Sequence, residues 1–119
     1  MHTLGEVVRA AREVTTAGAD EVLVSLGAHG AALVTADATW WAGGPRLVPL
    51  STVGAGDVTL AGYLSASDRG PEEALRTAVA WGRAAVRLPG SKVPAPAQIH
   101  PDDVDVVTNP NLAVAVEEL

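Results

Sequence analysis

Apolar side chains recur at Leu4, Val7, Val8, Ala11 and Val14. Steps of three and four place them in one stripe of a helix over residues 4–16. Gly18 is the stop expected just beyond it. The period then changes. Asp20 to Ser25 predicts a short buried strand, broken by Gly27-Ala28-His29-Gly30. Ala31 to Thr35 predicts a second strand, with Asp37 in a turn, and Thr39-Trp40-Trp41 a third, ended by Gly43-Gly44-Pro45. Arg46 to Leu50 predicts a fourth extended segment. The middle of the chain therefore favours strands joined by hairpin-like turns.

Beyond Asp57 the texture changes again. Val58 to Ala66 is small and apolar on nearly all sides, the pattern of a helix buried all round. Ser67-Asp68-Arg69-Gly70 predicts a turn, and Pro71 suits the first position of a further helix. Glu72 and Glu73 complement the positive end of its dipole. Ala74, Leu75, Ala78, Trp81, Ala85 and Val86 form its apolar stripe, which runs to about Leu88 before Pro89-Gly90. Ser91 to Pro101, with three prolines, predicts an extended loop. Residues 102–119 have no clean period, and a short helix or strand with a disordered end is expected there.

Composition narrows the classes. At 119 residues the chain fits one domain or a piece of one, and 48% hydrophobic residues suffice for a core. With no Phe, that core is built mostly from Ala, Val and Leu. A net charge of −6 with no basic cluster argues against nucleic acid or an anionic membrane as partner. No cysteine is present, which excludes disulfides, thiolate metal sites and a cysteine nucleophile and is compatible with a cytoplasmic location. No apolar run approaches the ~18–20 residues that span a bilayer, and the first residues carry no secretion-signal pattern.

The candidate chemistry lies at Gly54-Ala55-Gly56-Asp57, between an extended segment and an apolar helix. The first turn of a helix leaves backbone N–H groups unpaired, and these attract phosphate. Glycine lets the backbone approach a ligand closely. A carboxylate there can take a proton from an attacking hydroxyl, and phosphoryl transfer asks mainly for positioning and charge stabilisation. The bland alternative is that Asp57 is an N-cap and the glycines a tight turn. A bare Gly-x-Gly-Asp favours that alternative, because short motifs recur by chance. No Gly-Lys-Ser/Thr follows, so this is not a Walker loop, and the third glycine of a dinucleotide-binding fingerprint is missing.

The longer stretch Ser51-Thr52-Val53-Gly54-Ala55-Gly56-Asp57-Val58-Thr59-Leu60-Ala61-Gly62-Tyr63-Leu64 resembles the C-terminal signature of the ribokinase-like (PfkB) family of carbohydrate kinases. Val24-Ser25-Leu26-Gly27-Ala28-His29-Gly30-Ala31 resembles the strand and turn that precede it in that family, at a fitting separation. The wording is nearest to the 1-phosphofructokinase branch, with tagatose-6-phosphate kinases next. The resemblance runs from about Thr3 to about Val106. It implies an α/β fold: the C-terminal part of a ribokinase-like three-layer α/β/α fold, with a mixed sheet and flanking helices.

It also implies roles. Asp57 would be the general base facing the sugar's hydroxyl. Gly54, Ala55 and Gly56 would form the backbone anion hole. Ser25, Gly27 and Gly30 would line the ATP site, and the helix from Pro71 to Leu88, with Gly82 facing inward, would close around adenine. ATP, magnesium and a small sugar phosphate, foremost fructose 1-phosphate, are the implied ligands, with a homodimer open to the full-length enzyme. Some members bind potassium near the anion hole, but Ser51 stands where those often have Asp, so that cation is not implied here.

Family members are much longer. Residues 1–119 are therefore expected to be a single partial domain, without the N-terminal sugar-binding part and its lid. The magnesium-organising Asn-x-x-Glu motif does not occur, since Asn109 and Asn111 are followed at the third position by Leu112 and Val114. Met1 is expected to start a truncated frame or a fragment, a parallel sheet to lose about half its strands, and the chain alone to lack activity. A kinase of the same family for another substrate (tagatose 6-phosphate, ribose or a nucleoside such as adenosine), a non-catalytic nucleotide-binding module and a functionless fragment are the competing readings. No protein metal site is expected, because His2 and His100 lack ligand spacing and Asp102, Asp103 and Asp105 lack that of a calcium loop. His29, Glu72, Glu73 and Lys92 read as solvated surface. One of Trp40 and Trp41 should face the core and the other outward.

Overall fold

The computed structural model describes residues 2–90 and 92–119. Met1 and the first residue of the predicted 91–101 loop, Ser91, lie outside them. The chain forms two compact units, one holding the chain up to Gly43 together with Val106–Leu119, the other Gly44–Asp105.

In the first unit, α1 (Leu4–Thr16) starts where Thr3 accepts a hydrogen bond from the Glu6 amide at 3.2 Å. Gly18 follows the helix with φ 123°, a conformation that ends helices and suits glycine. Leu4, Val8 and Ala11 are buried against Ala32 and Val34, with Val22, Val24, Leu26, Trp41 and Leu119 packed around them. Each fully buried Leu or Val side chain contributes about 1.5–3 kcal/mol. Val14 does not join this stripe and is 49% exposed. At about 100° per residue, three steps from Ala11 leave it short of a full turn and off the buried line.

The sheet has the order β1-β2-β3-β4, with β1 at Glu21–Ser25, β2 at Ala31–Thr35, β3 at Thr39–Gly43 and β4 at Asp105–Thr108. β1 pairs antiparallel with β2 (Leu23 opposite Leu33), and β2 antiparallel with β3 (Leu33 opposite Trp40). Antiparallel pairing is what the hairpin-like turns expected between these strands require, and it agrees with the mixed sheet expected of the fold. Thr35 closes the second hairpin, its amide donating to the Ala38 carbonyl at 3.0 Å and its hydroxyl accepting from the Ala38 amide at 3.1 Å. Trp41 shares a face with Ala32 and packs toward α1, whereas Trp40 points to the opposite face, as strand alternation requires. β2 is buried, but β1 is only half-buried in its middle and exposed at its ends, because it is an outer strand.

The fourth strand is not the predicted 46–50 segment, which carries no strand. It is β4, near the other end of the chain, where the Asn109 amide donates to the Thr39 carbonyl at 2.8 Å. Residues 112–116 then run alongside the start of α1. Thr3 bridges Ala115, and the amides of Leu4 and Gly5 donate to the carbonyls of Val114 (2.9 Å) and Leu112 (2.8 Å). The expected disordered end is therefore paired with the first helix.

The second unit is built on α2 (Ala55–Ala66) and α3 (Pro71–Val86). A short 3-10 turn at Ser67–Arg69 and Gly70 at φ 96° connect them. Pro71 occupies the first turn of α3 with Glu72 and Glu73. Ala74, Leu75, Ala78, Val79, Ala80, Ala84 and Ala85 are buried, while Trp81 is half-buried. The Arg76 guanidinium donates to the Val104 carbonyl and pairs with Glu73 at 3.3 Å. The Leu50 amide donates to the Val86 carbonyl at 2.7 Å, which ties the 46–50 segment to the end of α3 instead of to a sheet. A 3-10 turn at Pro96–Gln98 interrupts the predicted loop.

α2 is not buried on all sides. Val58, Thr59, Gly62, Tyr63 and Ala66 are buried, but Leu60 is 50% and Leu64 62% exposed. Its sequence is apolar all round, yet α3 covers only one side of it. No helix among the described residues is long and apolar enough to cross a membrane.

Candidate phosphate-binding turn and catalytic carboxylate

The chain enters α2 through a tight turn. The Val53 amide donates to the Ser51 hydroxyl at 3.2 Å, and the Ala55 amide to the Thr52 carbonyl at 3.3 Å. Gly54 then takes φ 78° and ψ −2°, a left-handed conformation that costs other residues about 1–2 kcal/mol. Gly54 is the N-cap, so Asp57 is not the cap but stands at the third helical position. The first bond of the helix runs from the Val58 amide to the Gly54 carbonyl at 3.1 Å.

Among the described residues the amides of Gly56 and Asp57 make no hydrogen bond, and the Asp57 carboxylate has no hydrogen-bond or ion-pair partner. Both residues are exposed, and a Cβ added at Gly56 would meet nothing within 4 Å. Packing thus does not explain glycine at this position. The open space lies at the positive end of a helix, where free donors favour an anion. Two N–H donors and a carboxylate on one turn can hold a phosphate and accept a proton from a group beside it.

α3 braces this turn from behind. Thr59 is buried, its hydroxyl donating to the Ala55 carbonyl at 2.8 Å. A Cβ at Gly82 would lie 2.2 Å from that hydroxyl oxygen. One turn further along, a Cβ at Gly62 would lie 2.8 Å from Cγ of Trp81. Each helix therefore offers a glycine to a side chain of the other. Gly82 lies against Thr59 at the base of the turn. Thr59 and Trp81 were not singled out as supports by the sequence, where the only trace of the arrangement is one glycine within each apolar helix.

The remaining candidates sit in the first unit. Ser25 ends β1 and is exposed. Gly27 has φ 61° with nothing within 4 Å of an added Cβ, and Gly30 has φ 87° with the Ala42 carbonyl oxygen only 1.9 Å from one. Gly30 is thus required by the close approach of β3. His29 is half-buried instead of solvated, and its carbonyl accepts from Trp41 Nε1 at 2.8 Å.

Among charged groups, Arg83 in α3 is partly buried with its guanidinium over Gly44. Burial pushes its pKa down, against the opposing pull of Asp103. An open concavity of about 770 Å³, lined by Thr3, Val8, Arg9, Arg12, Glu13 and Leu112 among others, contains none of the candidate residues. No group of three or more His, Cys, Asp or Glu among the described residues is gathered to hold a metal ion.

The chain has counterparts among known proteins. Residues 2–98 match the pfkB family of carbohydrate kinases. The chain belongs to that family. It is 38% identical over 111 residues to a 1-phosphofructokinase of Haloferax volcanii, covering 92% of this chain and 34% of that protein. Its fold superposes on phosphofructokinase-2 from Escherichia coli, solved with substrates and products, with TM-score 0.72 and 33% identity over 78% of this chain and 31% of the other. A Staphylococcus aureus structure, provisionally described as a phosphofructokinase, gives TM-score 0.80 at 27% identity, over 91% and 36% of the two chains. The helices and antiparallel strands of this chain are thus part of the ribokinase-like fold of pfkB kinases. The chain spans about a third of the length of these relatives.

Proposed function

We propose that this chain supplies the phosphate-binding turn and the general base of an ATP-dependent sugar-phosphate kinase that converts fructose 1-phosphate to fructose 1,6-bisphosphate. The observation that carries the reading is the first turn of α2, where a left-handed Gly54 leads into two unbonded amides and an unpartnered Asp57 carboxylate. The acceptor hydroxyl attacks the terminal phosphorus of ATP. As the new O–P bond forms and the bond to the departing ADP breaks, Asp57 takes the hydroxyl proton. Gly54, Ala55 and Gly56 direct their N–H groups at the transferred phosphoryl oxygens, and the Ala55 amide exchanges its 3.3 Å bond to Thr52 for one of them. One such donor is worth ~3–4 kcal/mol in comparable acyl-transfer sites.

Ser25, Gly27 and Gly30 line the nucleotide. Gly82 serves adenine from behind, by letting α3 lie close enough to hold α2 in place. Magnesium accompanies ATP. The described residues gather no ligand set of their own for it. The reading makes residues 1–119 a single partial domain. The sugar-binding part, the lid and the contacts of a homodimer fall to the two-thirds of the family length outside it, and the chain alone turns over no sugar. The reading places the enzyme in the cytoplasm.

The test joins this chain to the remaining part of the Haloferax volcanii relative and compares Asp57→Ala with the parent. Turnover of fructose 1-phosphate is expected to fall by about 10²–10⁴-fold, with ATP affinity nearly unchanged. Turnover that survived the substitution would remove Asp57 from the chemistry. Full turnover by residues 1–119 alone would overturn the partial-domain reading.

A further inference from the structure

The connection between β1 and β2 holds two left-handed glycines, Gly27 at φ 61° and Gly30 at φ 87°. A single 3-10 turn, Gly27–His29, lies at its centre. The His29 amide donates to the Leu26 carbonyl at 3.1 Å, and the Leu26 amide to the Gly30 carbonyl at 2.9 Å. Glycine leaves the backbone many alternatives, and a Cβ added at Gly27 would meet nothing within 4 Å. Packing therefore does not hold that end of the turn.

Two contacts with β3 hold the other end. Gly30 lies against the Ala42 carbonyl, whose oxygen would be 1.9 Å from an added Cβ. One residue earlier in β3, Trp41 Nε1 donates to the His29 carbonyl at 2.8 Å. The indole is itself fixed. It packs against the cluster of Leu4, Val8, Ala11, Ala32 and Val34. It also lies over Gly43, where a Cβ would come within 2.5 Å of Cζ2. An indole N–H can only donate, and its acceptor here is the carbonyl directly before Gly30.

We propose that Trp41 is a positioning residue for the nucleotide, its indole holding the Gly27–Gly30 turn in the shape that receives ATP. The proposal rests on the reading of Ser25, Gly27 and Gly30 as the residues that line ATP. Trp41 acts through the His29 carbonyl and not by stacking on the base. A turn ordered before ATP arrives spares the cost of ordering it on binding. The benefit falls on ATP alone, not on the sugar phosphate or the bond-making step.

The test uses this chain joined to the remaining part of the Haloferax volcanii relative. Trp41→Phe keeps a ring on the core and removes the donor, while Ser25→Ala leaves the indole in place. Trp41→Phe is expected to raise KM for ATP about two- to tenfold, the worth of one neutral hydrogen bond. KM for fructose 1-phosphate and kcat should stay near those of the parent, and exchange of the His29 amide should quicken. Ser25→Ala should also raise KM for ATP. In the parent, ATP should slow exchange at the Leu26 and His29 amides, a measurement that needs no variant to fold. If Ser25→Ala weakens ATP and Trp41→Phe does not, the turn meets the nucleotide without help from the indole, and the proposal alone is overturned. If neither variant changes KM for ATP and ATP leaves both amides unprotected, the nucleotide reading falls and the proposal with it. A Trp41→Phe enzyme with both KM values raised alike and kcat lowered would make the indole a core residue only, which also overturns the proposal.

Discussion

Adding one methyl group at Gly62 sets two opposing terms against each other. Alanine is about 1 kcal/mol better than glycine inside a helix, so an unhindered Gly62→Ala would stabilise the second unit. The new Cβ, however, would lie 2.8 Å from Cγ and 3.0 Å from Cβ of Trp81, and 3.1 Å from the Thr77 carbonyl oxygen. Carbon atoms in good contact sit about 3.5–4.0 Å apart. The obstructing atoms are the root of an indole ring and a main-chain carbonyl, so relief requires the two helices to part by about 0.5–1 Å. Overpacking of this kind costs ~1–3 kcal/mol. With contacts from both side chain and backbone, the upper half of that range applies, and the net loss should be about 1–2 kcal/mol. For a chain of this size that lowers the melting temperature by about 4 °C per kcal/mol.

Urea unfolding followed by circular dichroism measures the loss, and a double-mutant cycle with Trp81→Ala isolates its cause. Trp81→Ala removes the contact with Cγ but leaves those with Cβ and the Thr77 carbonyl, so Gly62→Ala should cost less in that background than in the parent, with a coupling energy of about 1 kcal/mol. Stabilisation by Gly62→Ala in both backgrounds would refute the close approach of α2 and α3.

The same logic distinguishes two glycines of the first unit. Gly27→Ala meets open space and should cost only the left-handed penalty of about 1–2 kcal/mol, whereas Gly30→Ala adds a collision with the Ala42 carbonyl and should cost at least about 3 kcal/mol. Equal losses in thermal unfolding would contradict that contact. Glu6 supplies a pH-dependent case. Its carboxyl is held below its ordinary 4.5, first by the hydrogen bond to His2 and then by Thr3. A depressed carboxyl stabilises the fold above its unfolded value and loses that contribution as pH falls through the folded one. An NMR titration should therefore place Glu6 below 4.5, and His2→Ala should move the midpoint upward; no movement would dissolve the pair.

Elements with their own period were legible in the sequence. α1, β2, β3 and the start of α3 at Pro71 announce themselves through spacing, glycine stops and first-turn carboxylates. β4 was legible only as a short helix or strand somewhere in 102–119, because Asp105–Thr108 becomes a strand by meeting β3, more than sixty positions earlier. Residues 46–50 read as an extended segment, with no local signal that the Leu50 amide bonds to the end of α3. The bare side of α2 was equally invisible, since an apolar helix does not say whether its cover lies in the same polypeptide. At the site, Gly54 and Asp57 could be named from a motif. That Gly54, not Asp57, caps the helix, and that Thr59 and Trp81 brace it, depends on backbone angles and contacts across elements.

The segment 112–116 that bonds to the first turn of α1 has a meaning for specificity. At that helix the amides of Leu4, Gly5 and Glu6 are all taken, by Val114, Leu112 and the Thr3 hydroxyl. At α2 those of Gly56 and Asp57 are left over. Both helix starts carry the same partial positive charge, but only one has donors left to give. A chain with a net charge of −6 repels anions in general. Shutting one helix mouth and leaving the other open turns a common electrostatic property into an address, at which a phosphate can be received by backbone alone.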